Sequence, residues 1–223
     1  LPALRAAIAR HVSATRAVAC GMEDVVATAG AQQAFDLLAR VLVTPGETLV
    51  ALEDPGYPPL RAAFEAAGAR LAPVPGDGEG LVVEQLPDDA AVVCVTPSHQ
   101  FPLGVPLSAA RRRALLDWAA PRRAVVIEDD YDGEFRYAAR PLDALQTLDR
   151  QRSVFYVGTF SKTLLPALRQ GFVVAPPWAR AALAAARQAA DWQGPPPAPG
   201  PPAARLPRGD LAPPARPGRP GPA

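Results

Sequence analysis

The sequence has few of the features that mark secreted, membrane or nucleic-acid-binding proteins. It contains only 2 cysteines in 223 residues, too few for a disulfide framework, and Cys94 lies in an apolar run typical of a core residue in a reducing cytoplasm. The 23 basic and 22 acidic residues nearly balance, which excludes a strongly basic surface for nucleic acid or membrane. The longest stretch without a charged residue, 90–110, contains three prolines and cannot be a membrane span.

Lysine is nearly absent as well, since Lys162 is the only lysine against 22 arginines. A GC-rich genome, which the alanine, proline and glycine content also indicates, replaces surface lysine with arginine. A lysine that persists under this bias is more often one that arginine cannot replace. Lysine can lose its proton and act as an amine nucleophile, whereas a guanidinium stays charged. Lys162 is therefore the first candidate for a catalytic residue.

Residues 1–193 alternate between amphipathic segments and short β-branched runs. The runs are apolar throughout, which is typical of strands buried on both faces of a sheet. Strands that alternate with helices favour an α/β fold, here one domain with a seven-stranded, mainly parallel sheet flanked by helices. Helices are predicted at about 3–16, 31–43, 57–67, 108–119 and 177–192, and strands near 24–28, 48–52, 70–74, 91–95, 124–128, 154–158 and 171–175.

The last residues, 194–223, differ in kind from the rest. Residues 195–223 hold 12 prolines and 4 glycines, and Leu206 and Leu211 are their only sizeable apolar side chains. Proline removes backbone donors, and so few apolar groups cannot form a core. We expect a disordered or aberrant tail, because a frameshift in GC-rich coding sequence yields this composition. A Pro-rich spacer or ligand is the alternative.

Glycines and polar residues follow several of the predicted strands. In a doubly wound sheet, ligands bind beyond the carboxyl ends of the strands. After the first strand the chain turns at Gly30 into a helix whose first amides, at Ala31 and Gln32, can hold a phosphate. The loops after the second and fourth strands present three more polar side chains: Tyr57, His99 and Gln100.

Five carboxylates crowd together in EDDYDGEF, residues 128–135, at the end of the fifth strand. The spacing imitates the start of a calcium loop, but alanine stands at 139, where that loop needs a glutamate, so no metal is expected. Asp129 and Tyr131 are better interpreted as a pair directed into a cleft. Three other acids are expected to be solvated or salt-bridged: Glu128, Asp130 and Asp132. The arginine run Arg111–Arg113 is expected to be the hydrated face of a helix.

Five motifs occur in order at sensible spacing. Together they resemble the fold-type I aminotransferase-like domain of the MocR group of bacterial GntR-family regulators, over residues 1 to about 193. TPSHQFPLG and EDDYD favour MocR proteins over ordinary class I aminotransferases, and aminotransferases of the 2-aminoadipate type are the nearest alternative. The motifs are TAGAQQA (28–34), EDPGYP (53–58), TPSHQFPLG (96–104), EDDYDGEF (128–135) and GTFSKTLLPALR (158–169).

The resemblance implies pyridoxal 5′-phosphate as the cofactor. It makes Lys162 the residue that binds the cofactor covalently, Asp129 the partner of the pyridine nitrogen, and Tyr131 the partner of the ring's phenolic oxygen. Arg169 would hold the phosphate with its planar guanidinium. Other implied contacts are, for the phosphate, Thr159, Ser161, Gly30, Ala31 and Gln32, and, near the ring, Tyr57, His99 and Gln100. Phe101 stands where class I aminotransferases place an asparagine against the ring.

The chain departs from the MocR pattern at both ends. By this resemblance, we expect the given sequence to begin inside the second domain, without the winged helix–turn–helix domain, and to lack the small C-terminal domain that in the family supplies an arginine for the substrate carboxylate. We therefore expect a truncated cytoplasmic regulator, dimeric when intact, that binds DNA only through the missing domain. Its effector would be pyridoxal phosphate or an amino-acid-like compound. The alternatives are an active aminotransferase, acting between an amino acid and a 2-oxo acid, and a non-functional gene product.

Overall fold

The computed structural model describes residues 2–132, 143–160 and 170–191. Eight strands in these ranges form one mixed sheet. They are β1 (Val25–Thr28), β2 (Leu49–Asp54), β3 (Arg70–Asp77), β4 (Gly80–Leu81), β5 (Val92–Val95), β6 (Val125–Asp130), β7 (Val154–Thr159) and β8 (Gly171–Val174). Their order across the sheet is β1-β8-β7-β6-β5-β2-β3-β4.

The centre of the sheet is parallel and its two ends are not. β2 pairs in parallel with β3 and β5, and β6 with β5 and β7. β8 lies antiparallel between β1 and β7, and β4 pairs antiparallel with β3. The carboxyl ends of β1, β2, β5, β6 and β7 therefore meet at one edge of the sheet, where the first residue of β8 also lies.

In the part of the chain that the structure describes, five α-helices connect and cover the strands: α1 (Pro2–Arg16), α2 (Ala31–Leu42), α3 (Pro58–Ala66), α4 (Ala109–Arg122) and α5 (Arg180–Asp191). Local chemistry explains where they begin. Proline at the first position of α3 loses nothing, because the N–H there has no acceptor within the helix. The hydroxyl of Ser108 caps α4 by accepting a hydrogen bond from the amide of Arg111, at 3.2 Å.

Apolar residues are buried on both faces of the sheet. On one face, α2, α3 and α5 pack against alternate strand residues such as Leu52 and Ile127. On the other face, α4 packs against their neighbours, such as Ala51 and Val126, and α1 packs near β1 and β8. This two-sided burial is the reason that the strands read as continuous apolar runs instead of alternating ones.

The structure confirms the predicted fold class. Each of the five predicted helices and seven predicted strands is present, with bounds shifted by a few residues. The sheet also has an eighth strand, β4, which has only two residues and therefore too few to show a periodicity. The predicted tail, 194–223, lies outside the described residues. Within the described ranges, no helix is long and apolar enough to cross a membrane.

The arginine run 111–113 is not the hydrated helix face that the sequence predicts. Only Arg113 is exposed, Arg111 is half-buried, and Arg112 is 2% exposed. Because a buried guanidinium needs acceptors, Arg112 is stable there through its contacts with three backbone carbonyls in two loops. It donates to the carbonyl oxygens of Leu107 (2.9 Å), Pro97 (2.6 Å) and Asp143 (2.7 Å).

Candidate functional site

The turn between β1 and α2 has the geometry of an anion site. Gly30 has φ +86°, a left-handed conformation that favours glycine, and α2 begins at Ala31. A Cβ on Gly171 would lie 2.7 Å from the carbonyl carbon of Gly30, so glycine in β8 lets that strand pack directly against the turn. The first amides of a helix have no acceptor within the helix. Those of Ala31 and Gln32 are therefore placed to donate to an anion at this edge.

Asp129 is a buried carboxylate near the same edge. It is the fifth residue of β6, is 2% exposed, and lies beside Val157 of β7. Alternation along the strand places it on the face of Ile127, the face covered by α2, α3 and α5. Burial, with the charges of Glu53 and Asp129, raises the pKa of the Cys94 thiol well above its ordinary value. The surroundings of Asp129 thus include a neutral, buried thiol.

Tyr57 precedes the first residue of α3 and is 36% exposed. Its ring packs edge-on against Phe35 of α2, with centroids 6.3 Å apart, and against Phe101, at 5.3 Å. Burial and the charge of Asp129 raise the pKa of the Tyr57 phenol. Tyr57 is therefore a protonated donor within electrostatic reach of Asp129.

The loop after β5 carries His99 onto Tyr131. Their rings are nearly parallel, at 13°, with centroids 6.3 Å apart. Nδ1 of His99 lies 2.6 Å from Oδ2 of Asp132. Phe101 packs edge-on against Tyr131, at 6.2 Å. Four rings thus form one group, which we call the aromatic wall: Tyr57, Phe101, Tyr131 and His99.

Two of the predicted site residues use their side-chain amides to connect turns. Gln100 is 5% exposed; its Nε2 donates to the carbonyl of Pro55 at 2.6 Å, and its Oε1 accepts from the amide of Leu103 at 3.1 Å. Nε2 of Gln32 donates to the carbonyl of Pro59 at 3.2 Å. Gln100 therefore ties the loop after β5 to the turn after β2.

Thr159 ends β7, and its hydroxyl donates to the carbonyl of Gln170 at 3.3 Å. Ser161, Lys162 and Arg169 lie outside the described residues. The structure brings the described members of the predicted site to one edge of the sheet: Gly30, Ala31, Gln32, Tyr57, His99, Gln100, Asp129, Tyr131 and Thr159.

Three other acids of the segment are buried, so the solvated alternative is wrong for them: Glu128, Asp130 and Asp132. The salt-bridge alternative is confirmed for Asp130, which forms an ion pair with Arg16 at 2.7 Å, and Asp132 is paired as well, with its Oδ2 2.6 Å from Nδ1 of His99. Glu128 accepts from the backbone amides of Leu145 (2.8 Å) and Gln146 (3.0 Å). Burial and the charge of Asp130 raise the pKa of Glu128 to about 7.

Two residues that no sequence motif marked as functional also shape this edge. Oε2 of Glu53 accepts from the amide of Thr96 at 3.1 Å and from its hydroxyl at 2.5 Å. Arg16 pairs with Asp130 and donates to the hydroxyl of Ser98 at 2.5 Å. The sequence contains a signal that could have identified Glu53, because it is an acid at the end of an apolar strand. No sequence signal identifies Arg16, because its partners are 114 and 82 residues away.

The chain belongs to the aminotransferase class I and II family, whose family model matches residues 1–205. It is 43% identical over 174 residues to the uncharacterized HTH-type transcriptional regulator YdeL of Bacillus subtilis, covering 78% of this chain and 37% of that protein. It is 42% identical over 177 residues to the probable rhizopine catabolism regulatory protein MocR of Rhizobium meliloti, covering 79% and 36%. The chain therefore spans about a third of the length of these regulators.

A solved structure shows the same fold with a cofactor derivative bound. LysN, the α-aminoadipate aminotransferase of Thermus thermophilus, was crystallised with N-(5′-phosphopyridoxyl)-L-leucine. The TM-score is 0.79 at 34% identity, over 87% of this chain and 50% of that one. The comparisons confirm the resemblance to MocR-type regulators and the fold-type I class, and they support pyridoxal phosphate as the cofactor. The domain boundary at 193 stays a prediction.

Proposed function

We propose that this chain is the pyridoxal 5′-phosphate-binding, aminotransferase-like effector domain of a MocR-type transcriptional regulator. One observation carries the proposal: the buried carboxylate of Asp129 lies at the same sheet edge as the open helix start at Ala31. A buried anion and a set of backbone donors suit an aromatic cation that carries a phosphate. The similarity to two HTH-type regulators supports the regulatory role.

The residues at this edge fit the ring of the cofactor. The carboxylate of Asp129 would accept from the pyridine nitrogen and keep it protonated, and Tyr131 would donate to the phenolic oxygen. Lys162 would hold the cofactor covalently through its amine. When bound, pyridoxal phosphate supplies an electron sink that stabilises negative charge at the carbon next to an amino group. Because a buried carboxylate gains most from a cationic partner, Asp129 is the residue on which ring binding depends.

The phosphate would lie at the turn between β1 and α2. The amides of Gly30, Ala31 and Gln32 would donate to it, because the helix start leaves them without acceptors inside the helix. Hydroxyls from Thr159 and Ser161 and the guanidinium of Arg169 complete this proposed set. Gly171 makes the arrangement sterically possible, since a side chain there would push β8 away from the turn.

The aromatic wall would cover the ring and exclude water from it. Tyr57 is protonated and near Asp129, so it can donate to a polar group of the cofactor or of an incoming amino compound. Phe101 cannot replace the hydrogen bond of an asparagine, so the phenolic oxygen depends on Tyr131. His99 keeps the Tyr131 ring in place by stacking on it, and Gln100 keeps the loop in place.

In the intact regulator, this domain would bind the effector. The effector would be pyridoxal phosphate or an amino-acid-like compound, and it would shift an equilibrium between two states only by its different affinity for each. The intact protein would be a cytoplasmic homodimer, and DNA binding would fall to a separate winged helix–turn–helix domain.

An aminotransferase is the second candidate function. The observation in its favour is the 34% identity to LysN, an α-aminoadipate aminotransferase, over 87% of this chain. Transfer of an amino group requires the substrate carboxylate to be held so that its Cα–H bond stands perpendicular to the ring. We expect the described residues to bind the cofactor without achieving that orientation efficiently.

Covalent labelling tests the proposal. The full chain is incubated with pyridoxal phosphate and reduced with borohydride, and mass spectrometry then locates the phosphopyridoxyl group. We expect one group, on Lys162, which has no competing lysine in the chain. A Lys162→Ala variant is the control, because it leaves only the amino terminus to react. Labelling of the amino terminus alone would overturn the assignment, and rapid conversion to the pyridoxamine form by an ordinary amino acid would favour the enzyme.

A further inference from the structure

Glu53 is a half-buried acid for which the proposed function gives no role. It lies near the end of β2, and its Oε2 accepts both the amide (3.1 Å) and the hydroxyl (2.5 Å) of Thr96. Thr96 is 4% exposed and directly follows β5, the neighbour of β2 in the sheet. One carboxylate thus fixes both the backbone and the side chain at the point where the loop after β5 begins.

A further hydrogen bond, which the Thr96 hydroxyl accepts, connects Glu53 to the aromatic wall. A threonine hydroxyl has one proton, and here that proton is donated to Glu53. Its lone pairs are therefore turned toward the amide of Phe101, which donates to it at 3.2 Å. The Phe101 ring in turn packs edge-on against Tyr57 and Tyr131. The contacts therefore run from the Glu53 carboxylate to the Thr96 hydroxyl, then to the Phe101 amide, and finally from the Phe101 ring to its two neighbours.

A second contact ties the same two segments together. The side chain of Gln100 donates to the carbonyl of Pro55, two residues after Glu53, at 2.6 Å. The backbone of Gln100 is also bonded across the loop, donating to Val105 at 3.0 Å and accepting from Gly104 at 2.7 Å. The Gln100 contact holds the middle of the loop, and the Glu53 contact holds its start.

We propose that Glu53 is a positioning residue that orients the Thr96 hydroxyl and thereby holds the loop 96–104, with Phe101 and His99, against Tyr57 and Tyr131. Glu53 acts through Thr96 and touches neither the cofactor nor the reacting atoms. The inference rests on the proposed function only in its last step, that these rings face the cofactor. The placement of the loop itself depends on described contacts alone.

The surroundings of Glu53 disfavour the charged form of its carboxyl group. A cavity of about 40 Å³, enough for a water molecule, is lined by Glu53 together with Tyr57 and Arg61 from the α3 side and Cys94 from β5. Asp54, next to it on β2, is exposed. Burial raises the pKa of Glu53 to about 7, against the opposing hydrogen bonds from Thr96 and Gln100.

Hydrogen–deuterium exchange in the full chain without cofactor tests the inference. Peptides covering residues 97–104 report on the Phe101 amide. We expect Glu53→Gln and Thr96→Val to speed exchange there by about fivefold to tenfold, the effect of weakening one hydrogen bond, while peptides from α2 stay unchanged. Thr96→Ser retains the hydroxyl and should restore slow exchange. Glu65→Gln, at an exposed position on α3, is the matched control.

The location of the effect separates positioning from a general loss of stability. Faster exchange in Glu53→Gln and Thr96→Val should be confined to the 97–104 peptides, whereas a general loss of stability accelerates exchange in every peptide. Unchanged exchange in Glu53→Gln and Thr96→Val, or equal acceleration in every peptide, would overturn the inference.

A cofactor-binding measurement separates this inference from the proposed function. If the loop positions the aromatic wall, Glu53→Gln should weaken pyridoxal phosphate binding by about fivefold to tenfold, and Glu65→Gln should not. Failure of the unmodified chain to bind the cofactor would overturn the proposed function and leave the exchange result to decide on Glu53. Binding that Glu53→Gln does not weaken, despite faster exchange, would remove the last step of the inference.

Discussion

The two faces of β6 at its carboxyl end carry the same kind of residue with different roles. Glu128 and Asp130 point to the face covered by α1 and α4, and Asp129 points to the face covered by α2, α3 and α5. All three are buried. Adjacent acids on one strand thus face two different environments, because the side-chain direction alternates at every residue.

The face of Glu128 and Asp130 is a network of internal partners. Oδ2 of Asp130 accepts from Nε of Arg16 at 2.7 Å and from the hydroxyl of Tyr156 at 2.5 Å. Burial and the charge of Asp130 raise the pKa of the Tyr156 phenol, so it stays a donor. Arg112 adds a second buried guanidinium on this side. These groups pair with one another and with the surrounding backbone, except for Oδ1 of Asp130, which has no hydrogen-bond partner among the described residues. Such mutual pairing is the pattern of a structural site.

The face of Asp129 is built from different groups. Tyr57 and Cys94 both respond to its charge, and α2 begins at the same edge with its amides directed out of the helix. On this face a bound ligand can contact both the carboxylate of Asp129 and the amides at the start of α2. The role of an acid at the end of this strand therefore follows from the face to which it points, and not from its position in the motif.

The largest effect is expected from removing Arg112. Arg112→Ala takes away a buried cation and leaves the carbonyls of Leu107, Pro97 and Asp143 without their donor. We expect the free energy of unfolding to fall by about 3–5 kcal/mol, measured by urea denaturation. Arg113→Ala, one residue further on and exposed, is the control and should change it by less than about 0.5 kcal/mol. Equal effects of the two variants would contradict the buried network.

A smaller effect should distinguish the two faces directly. Asp130→Asn keeps the shape but removes the charge that pairs with Arg16, so we expect a loss of about 2 kcal/mol in unfolding free energy. Asp129→Asn, one residue earlier, should cost less than half as much and should instead alter the bound cofactor. Both variants are compared by urea denaturation and by the visible spectrum with pyridoxal phosphate. A reversed order of stability losses would mean that the roles of the faces are exchanged.

The sequence predicted the fold because local patterns encode it. Apolar runs separated by amphipathic segments suffice to place helices and strands, and ligand-binding loops follow the strands. The same runs conceal the two faces, since a strand that is apolar throughout shows no alternation. The sequence of β6 therefore could not reveal that Asp129 and Asp130 point in opposite directions.

The contacts that the sequence missed join residues far apart in the chain. Arg112 looks hydrated within a run of three arginines, and its acceptors are backbone carbonyls in loops 15 and 31 residues away. Glu53 and Thr96 are separated by 43 residues and lie together only because β2 and β5 are neighbours. A carbonyl acceptor is present in every residue, so no residue type marks such a partner in advance.

The smallest effect concerns pH and Glu128, on the network face. Burial and the charge of Asp130 raise its pKa to about 7 from an ordinary value near 4.5, against the hydrogen bonds from Leu145 and Gln146. The folded protein therefore keeps a proton that the unfolded chain releases. The stability from that proton is fully present below about pH 4.5 and is lost as pH rises through about 7.

We accordingly expect the free energy of unfolding to decline between about pH 5 and 7, by at most about 1.4 kcal/mol per pH unit for each proton involved. Glu53 contributes in the same direction, because its pKa is also raised to about 7. Urea denaturation across this range should show a shallower slope in Glu128→Gln and in Glu53→Gln, and the shallowest slope in the double variant. Glu65→Gln, with an exposed side chain, should leave the slope unchanged. A slope unaffected by Glu128→Gln would show that Glu128 is ionised throughout, held so by Arg112 and its two backbone donors.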